Sequence, residues 1–145
     1  MKIFIKTRVQ NNLIEIQNRF NQYLFEKLSP PLVELKVLRF DGCLKDHEVH
    51  LEMNMFGIKN QWVSKITAAE TTSNYFYFID EGIKLPPPLK SWKHVHRVER
   101  INDQESDVID DINFTTGNEI LDMAIYPALY TMFKFRQPIY KRELK

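Results

Sequence analysis

Two histidines lie two residues apart in the stretch Trp92-Lys93-His94-Val95-His96, and this spacing is the clearest chemical signal in the chain. On a β-strand, residues two apart point to the same face, so Trp92, His94 and His96 would form one row, with the imidazoles about 6.5–7 Å apart. Such a pair can orient a polar ligand group, relay a proton or supply two metal ligands. A structural role, with both rings hydrogen-bonded to neighbouring groups, is an equally open interpretation.

A carboxylate follows in the stretch Asp110-Asp111-Ile112-Asn113-Phe114. Asp110 shares its face with Ile112 and Phe114, so the pattern predicts that it points inward and leaves Asp111 in solvent. An unpaired inward carboxylate is costly, so we predict that Asp110 hydrogen-bonds His94 or His96 and keeps that ring partly protonated. The alternative is that Asp110 lies at a bulged, exposed edge, because strand register slips easily.

We expect no metal and no cofactor. No third His or Cys stands at a spacing that would complete a metal site with His94 and His96, so Asp110 would have to serve. The lone Cys43 has no partner motif that indicates catalysis. Asp80 and Glu81 are expected to be solvated at a strand end. Arg136 is expected to form a surface ion pair with one of them, and the alternative is that it reaches across a cavity mouth.

Strand-like segments fill most of the chain that carries these residues. Residues 1–9 alternate as a first strand, and Asn11 or Asn12 begins a mostly apolar helical pattern that ends at Pro30, as one helix or as two broken near Gln22. Six further segments predict strands at about 32–40, 47–56, 60–68, 74–81, 91–101 and 107–115, separated by short turns or by the prolines at 86–88.

The stretch from Gly117 to about Gln137 predicts one long helix, capped by Asn118 and bent at Pro127. Its apolar stripe would face the sheet and contains Leu121, Ala124, Ile125, Ala128, Met132 and Phe135. The basic residues after Gln137 are interpreted as a solvated end.

Ala124 and Ala128 lie one helical turn apart on this stripe, and small side chains there would leave room beneath the bend. The sequence therefore predicts a cavity between sheet and helix. Its other expected lining residues are Met53, Trp62, Tyr75 or Tyr77, Trp92, His94 and His96. The alternative is that the many large aromatic residues fill this space.

The order of these elements predicts an α+β helix grip, in which a seven-stranded, curved antiparallel sheet wraps around a long C-terminal helix. This order resembles the START-like superfamily, also called SRPBCC, which includes birch-pollen-type allergens and polyketide cyclases. A bacterial subgroup with a Trp-x-His-x-His strand is similar in further residues. These are Trp62, Gly82, Lys84, Pro86, Asp110-x-Ile112-x-Phe114 and Phe133-x-Phe135-Arg136.

The resemblance covers nearly the whole chain and implies a cavity for apolar molecules between sheet and helix. The resemblance supports a cavity more than a catalysed reaction, because the catalytic residues of a cyclase cannot be placed on this sequence. The turn from Asp41 to Asp46 also lacks the glycine-rich loop of the plant allergens.

Composition excludes some classes of function. The 145 residues suit one START-like domain, residues 1–145, and their formal charge of +1 provides no field for a phosphate backbone, so nucleic acid is not an expected partner. The single cysteine suits a reducing compartment, and charges interrupt the apolar residues of MKIFIKTRV, so no leader or stable membrane insertion is expected. We therefore expect a cytoplasmic protein; its oligomeric state is not determined by these patterns.

The expected function is binding of an apolar or aromatic small molecule, with a lipid among the candidates, anchored at the row of Trp92, His94 and His96. An enzyme of cyclase or dehydratase type is the first alternative, with His94 or His96 as general acid or base and Asp110 as its orienter. The second alternative is a protein-interaction module with a vestigial cavity.

Overall fold

The computed structural model describes all of residues 1–145, which form one antiparallel sheet and four helices. The strands are β1 (Lys2–Val9), β2 (Glu34–Phe40), β3 (Glu48–Met55), β4 (Ile58–Thr71), β5 (Tyr75–Lys84), β6 (Ser91–Arg100) and β7 (Ser106–Thr115). The helices are α1 (Leu13–Asn18), α2 (Gln22–Lys27), α3 (Glu119–Lys134) and α4 (Arg136–Glu143). None of them is long and apolar enough to cross a membrane.

The strands follow the order β1-β7-β6-β5-β4-β3-β2 across the sheet. Strands β2 to β7 therefore pair with their neighbours along the chain, and β1 pairs with β7. The predicted α+β helix grip with a seven-stranded antiparallel sheet is confirmed.

The N-terminal helical pattern forms two short helices, which was one of the two expected arrangements. Asn12 caps α1 through a hydrogen bond from Glu15 N at 2.9 Å, and Asn21 caps α2 through one from Leu24 N at 3.1 Å. A second cap side chain inside the pattern lets a new helix begin there.

Two separate hydrophobic clusters hold the sheet to the helices. The larger joins α1, α2 and the C-terminus to one end of the sheet, and its members include Val9, Ile16, Leu24, Phe76, Phe78, Val98, Val108, Tyr140 and Leu144. The smaller lies under α3 and contains Ile3, Ile5, Trp92, Ile112, Phe114 and Phe133. The sheet rows between them are therefore free to carry other side chains.

The C-terminal helical region is longer than predicted. α3 runs through Pro127, and the boundary between the two helices falls at Phe135. Helical structure then continues to Glu143, beyond the expected end near Gln137. The segment is not simply a solvated end, because Tyr140 and Leu144 are 1% and 0% exposed.

The predicted apolar stripe of α3 is only partly correct. Ile125 and Met132 pack against the smaller cluster as expected, but the other members of the stripe face away from the sheet. Ala124 and Ala128 are exposed, as are Leu121 and Phe135. The residues that face the sheet are Asp122, Ile125, Leu129, Phe133, Arg136 and Tyr140.

Asp122 accounts for this difference. Its carboxylate accepts hydrogen bonds from Thr116 N at 2.7 Å, Thr116 Oγ1 at 2.6 Å and Thr115 Oγ1 at 3.0 Å. These bonds turn the polar Asp122 toward the end of β7 and fix the first turn of the helix. Periodicity alone leaves Asp122 off the apolar stripe, because the pattern does not contain this interaction with Thr115 and Thr116.

We predict that Asp122→Ala destabilises the protein in a pH-dependent way. Hydrogen bonds from the Thr116 side chain and backbone lower the pKa of Asp122 below its ordinary value. A depressed folded-state pKa gives stability that is complete above the unfolded pKa, near 3.9, and is lost as pH falls through the folded value. In urea unfolding, the variant should therefore be less stable than wild type at pH 7, and the difference should shrink below about pH 4.

Glu119→Ala is the matched control, because Glu119 is an exposed acidic residue in the same helical turn. A loss of stability equal to that of Asp122→Ala would contradict the anchoring role of Asp122.

Candidate functional site

A layer of polar side chains crosses the inner face of the sheet between the two hydrophobic clusters. On β6 and β7 the inward-facing row contains polar side chains with apolar side chains on both sides, and on β5 a polar side chain follows two apolar ones. The side chains at this level are Asp80, His94, His96 and Asp110, and we call them the polar layer.

His94 and Asp110 form the most buried pair of the polar layer. His94 Nε2 lies 2.8 Å from Asp110 Oδ1, and the side chains are 3% and 1% exposed. The predicted hydrogen bond is confirmed, and the alternative of an exposed Asp110 is wrong. Register places Asp110 opposite His96, so the bond to His94 runs diagonally between the strands.

The C-terminal helix α4 adds two groups to the same carboxylate. Tyr140 donates its hydroxyl to Asp110 Oδ1 at 3.3 Å, and Arg136 Nη1 lies 3.5 Å from that oxygen. The predicted surface ion pair of Arg136 with Asp80 or Glu81 is therefore corrected, because the Arg136 side chain is only 16% exposed and pairs with Asp110. Its guanidinium also lies over the ring of Phe133, 4.4 Å from the centroid.

Asp80 belongs to the polar layer, whereas the sequence placed it in solvent. Its carboxylate is hydrogen-bonded to His96 Nε2, and its side chain is 14% exposed. Asp80 shares the inward face of β5 with the buried Phe76 and Phe78. The alternation Phe76-x-Phe78-x-Asp80 could have revealed this, as the same spacing did for Asp110.

The predicted inward position of Tyr77 is also wrong, because alternate residues of β5 point to opposite faces and Phe76 and Phe78 take the inward one. Tyr75 and Tyr77 lie on the opposite face of β5 and stack on each other with centroids 6.2 Å apart. Arg97 covers Tyr75 there, 4.1 Å from the ring centroid.

The two imidazoles lean together instead of standing a full strand repeat apart. Their ring centroids are 3.6 Å apart, and the other face of His96 stacks on Phe78 at 4.3 Å. Each ring is thus held by a carboxylate and by an aromatic neighbour, since His94 also meets Phe133 edge-on at 5.4 Å.

Burial and pairing set the charges of the polar layer. Burial raises the pKa of Asp110, but the hydrogen bond from His94 and the charge of Arg136 outweigh it and hold this pKa below its ordinary value. The hydrogen bond from His96 likewise outweighs burial at Asp80 and lowers its pKa. Burial lowers the pKa of His96 to about 4. His96 is therefore neutral at pH 7, while both carboxylates are charged.

A pocket of about 120 Å³ lies between the polar layer, strands β2 to β6, and the helices α2 and α3. Five of the residues expected to line a cavity lie on its wall: Met53, Trp62, Trp92, His94 and His96. Tyr77, Ala124 and Ala128 do not line it. Asp110 lies behind His94, outside the wall.

Sequence reasoning missed several residues of this wall. Asp80 and Phe78 could have been found from the alternation of β5, but Leu129 depends on the rotation of α3, which periodicity predicted incorrectly. Arg136 was expected at a cavity mouth only as the alternative to a surface ion pair. Cys43 also lines the pocket, and burial raises the pKa of its thiol to about 12. The thiol is therefore protonated at neutral pH, as expected for a residue without a catalytic role.

Three groups of the polar layer have the geometry to hold a metal ion. Asp80, His94 and His96 each offer one ligand atom, and these atoms lie within 4.8 Å of one another. The third ligand is thus Asp80, where the sequence offered only Asp110.

Comparisons with known proteins show the fold. The chain matches the ZhuI aromatase/cyclase from Streptomyces sp. R1128 at 11% identity and a TM-score of 0.60, over 98% of this chain and 96% of that one. It matches Ara h 8.0201 at 12% identity and a TM-score of 0.61, over 96% of both chains. A Chromobacterium violaceum protein matches at 13% identity and a TM-score of 0.66, over 97% and 94%.

No protein-family model matches the sequence, and no curated protein matches it significantly. At such low identities the structural matches establish the START-like helix-grip fold alone.

We predict that Asp110→Ala lowers the free energy of unfolding by about 3–5 kcal/mol, because it leaves buried Arg136 and His94 without their common partner. Asp111→Ala is the matched control. Asp111 is the next residue, is 27% exposed and pairs only with Lys2 at 3.5 Å, so its loss should cost less than about 1 kcal/mol. Chemical denaturation of the three proteins gives both values, and equal losses would contradict the central role of Asp110.

Proposed function

We propose that this chain binds one small apolar molecule, preferably aromatic, in the pocket between the sheet and α3, with a polar group of the guest held at the polar layer. The observation that carries the proposal is the division of one pocket into an apolar wall and a buried polar end. Convergent polar groups in a mostly apolar pocket are typical of small-molecule sites.

The apolar wall favours an aromatic guest. Fourteen of the 21 lining residues are hydrophobic, and they include the rings of Trp62, Trp92, Phe78 and Phe133. Trp62 and Trp92 meet edge to face with centroids 4.8 Å apart, and Trp62 Nε1 is satisfied by Ser64 Oγ at 3.1 Å. The Trp62 ring therefore presents apolar surface to a guest with its own indole N–H already paired.

The polar end favours a guest with a hydrogen-bond acceptor. Arg136 lines the pocket and donates one protein hydrogen bond, from Nη1 to the hydroxyl of Tyr140 at 3.3 Å. Its other N–H groups can donate to a hydroxyl or carbonyl oxygen of a guest. Two buried carboxylates nearby, Asp80 and Asp110, disfavour an anionic guest.

The volume sets the size of the guest. A cavity of about 150 Å³ lined by apolar side chains holds benzene, so a pocket of about 120 Å³ suits a single ring. A larger guest would require α3 to move away from the sheet. Asp122 attaches the start of α3 to the end of β7, and Tyr140 attaches the following helix α4 to Asp110. The middle of α3 would therefore have to move.

An enzymatic role in the same pocket is the second candidate. It is favoured by the imidazole–carboxylate pairs His94–Asp110 and His96–Asp80, because a carboxylate that orients an imidazole is a common device of general acid–base catalysis. A fold neighbour named as an aromatase/cyclase is in keeping with this candidate.

We predict that the chain, purified from its own host without refolding, carries one small apolar molecule per chain. Native mass spectrometry should show the adduct, and extraction should identify its chemical class. A carrier would release the molecule unchanged after incubation with the protein. Conversion that stops in both His94→Ala and His96→Ala would instead support the enzyme, and no adduct across a panel of aromatic compounds and lipids would favour an interaction module.

We also predict that Leu129→Trp weakens binding of phenol by tenfold or more, about 1.4 kcal/mol, because the larger side chain fills the pocket. Ala128→Trp, at the adjacent exposed position of α3, should leave binding unchanged. Isothermal titration calorimetry measures both. Toluene, with the same ring and no hydroxyl, should bind wild type more weakly than phenol. Equal effects of the two tryptophan variants would place the site elsewhere.

A further inference from the structure

Three side-chain atoms of the polar layer that could bind a metal ion converge at the edge of the pocket. His94 Nδ1 lies 3.7 Å from Asp80 Oδ2, and His96 Nε2 contacts the same oxygen. Ligand atoms that bind zinc at 2.0–2.2 Å in a tetrahedral arrangement are about 3.4 Å apart. Small side-chain adjustments would therefore place all three atoms around one ion.

The hydrogen bond of His94 to Asp110 leaves the other ring nitrogen facing Asp80. Because an ionised carboxylate only accepts hydrogen bonds, His94 Nε2 is the donor to Asp110. In the neutral ring, Nδ1 is then an acceptor, and it faces a second acceptor, Asp80 Oδ2. Two acceptors face each other favourably only when a proton or a metal cation lies between them.

The charges of the neighbourhood are also compatible with a bound cation. Asp80 and Asp110 are two buried carboxylates, and Arg136, 3.5 Å from Asp110, is the only arginine or lysine among the lining residues of the pocket. One negative charge therefore remains to be balanced by a proton on the imidazole pair or by a bound cation.

We propose that Asp80, His94 and His96 form a binding site for one divalent transition-metal ion of the zinc type, with Asp110 as the positioning residue that orients His94. Two imidazoles and a carboxylate suit such an ion, and three protein ligands leave a coordination position free. All three ligands line the pocket, so this position faces its interior.

The hydrogen bond from His94 to Asp110 matches the usual support of a metal-binding histidine, whose second nitrogen donates to a carboxylate. Coordination by His96 Nε2 replaces its hydrogen bond to Asp80, and the single proton of the neutral ring moves from Nε2 to Nδ1. The ion would then bind an oxygen atom of a guest. The site does not depend on the proposed apolar guest, because its ligands are all side chains of this chain.

The test uses the untagged, chelator-treated full chain. Zn²⁺ is titrated calorimetrically, and Co²⁺ is followed by its visible absorption, which reports the coordination geometry. We expect one ion per chain, a tetrahedral Co²⁺ spectrum, and perturbed imidazole ¹⁵N signals of His94 and His96 in wild type on addition of Zn²⁺. The ¹⁵N measurement needs no variant and so keeps the proposal testable if substitutions unfold the protein.

Single-residue variants distinguish the proposed metal ligands from Asp110, which only positions one of them. His96→Gln and Asp80→Asn, checked for folding by circular dichroism, should abolish stoichiometric binding. Asp110→Asn should lower affinity by 10- to 100-fold and keep one ion per chain.

His50→Gln is the matched control, because His50 also pairs with a carboxylate, Glu48, at 3.0 Å but lies outside the cluster. It should bind Zn²⁺ as wild type does. Absence of binding by wild type, unchanged binding by His96→Gln, or ¹⁵N shifts confined to His47 and His50 would overturn the proposal. These outcomes leave the phenol experiment unaffected, so the two proposals can fail separately.

Discussion

The buried carboxylate of Asp110 is the interaction on which the other groups of the site depend. One oxygen accepts from His94 on the neighbouring strand and from Tyr140 on α4, and it lies 3.5 Å from Arg136. Because Asp110 is 1% exposed, these partners must compensate for the loss of its hydration. The C-terminal helix is therefore held to the sheet by a charge as well as by apolar contacts.

This arrangement divides the interior into two apolar clusters with a polar layer between them. An all-apolar interior of the same volume could be as stable or more stable, because buried ion pairs rarely exceed hydrophobic packing in net stabilisation. The polar layer lies where the pocket reaches the sheet, and His94 and His96 belong to both. The placement of charged groups on the wall of a pocket is typical of a functional site.

Much of the architecture follows from the sequence. Alternation located all seven strands, Asn118 marked the start of α3, and the shared face of Asp110, Ile112 and Phe114 indicated an inward carboxylate near the histidines. These features depend on local periodicity and capping, which act over a few residues and are visible in one segment at a time. The pairing of strands into a helix grip followed from the order of these elements.

Tertiary structure decided which partners meet. Either histidine could have paired with Asp110, and the diagonal contact to His94 leaves His96 to Asp80. The hydrogen bonds of Asp122 with Thr115 and Thr116 rotate α3 away from its most regular apolar stripe, which exposes Ala124 and Ala128 and brings Arg136 to the site. The sequence alone determined which side chains point inward on most strands. Long-range register and the docking of the helix determined what each of them touches, because those depend on contacts between residues far apart in the chain.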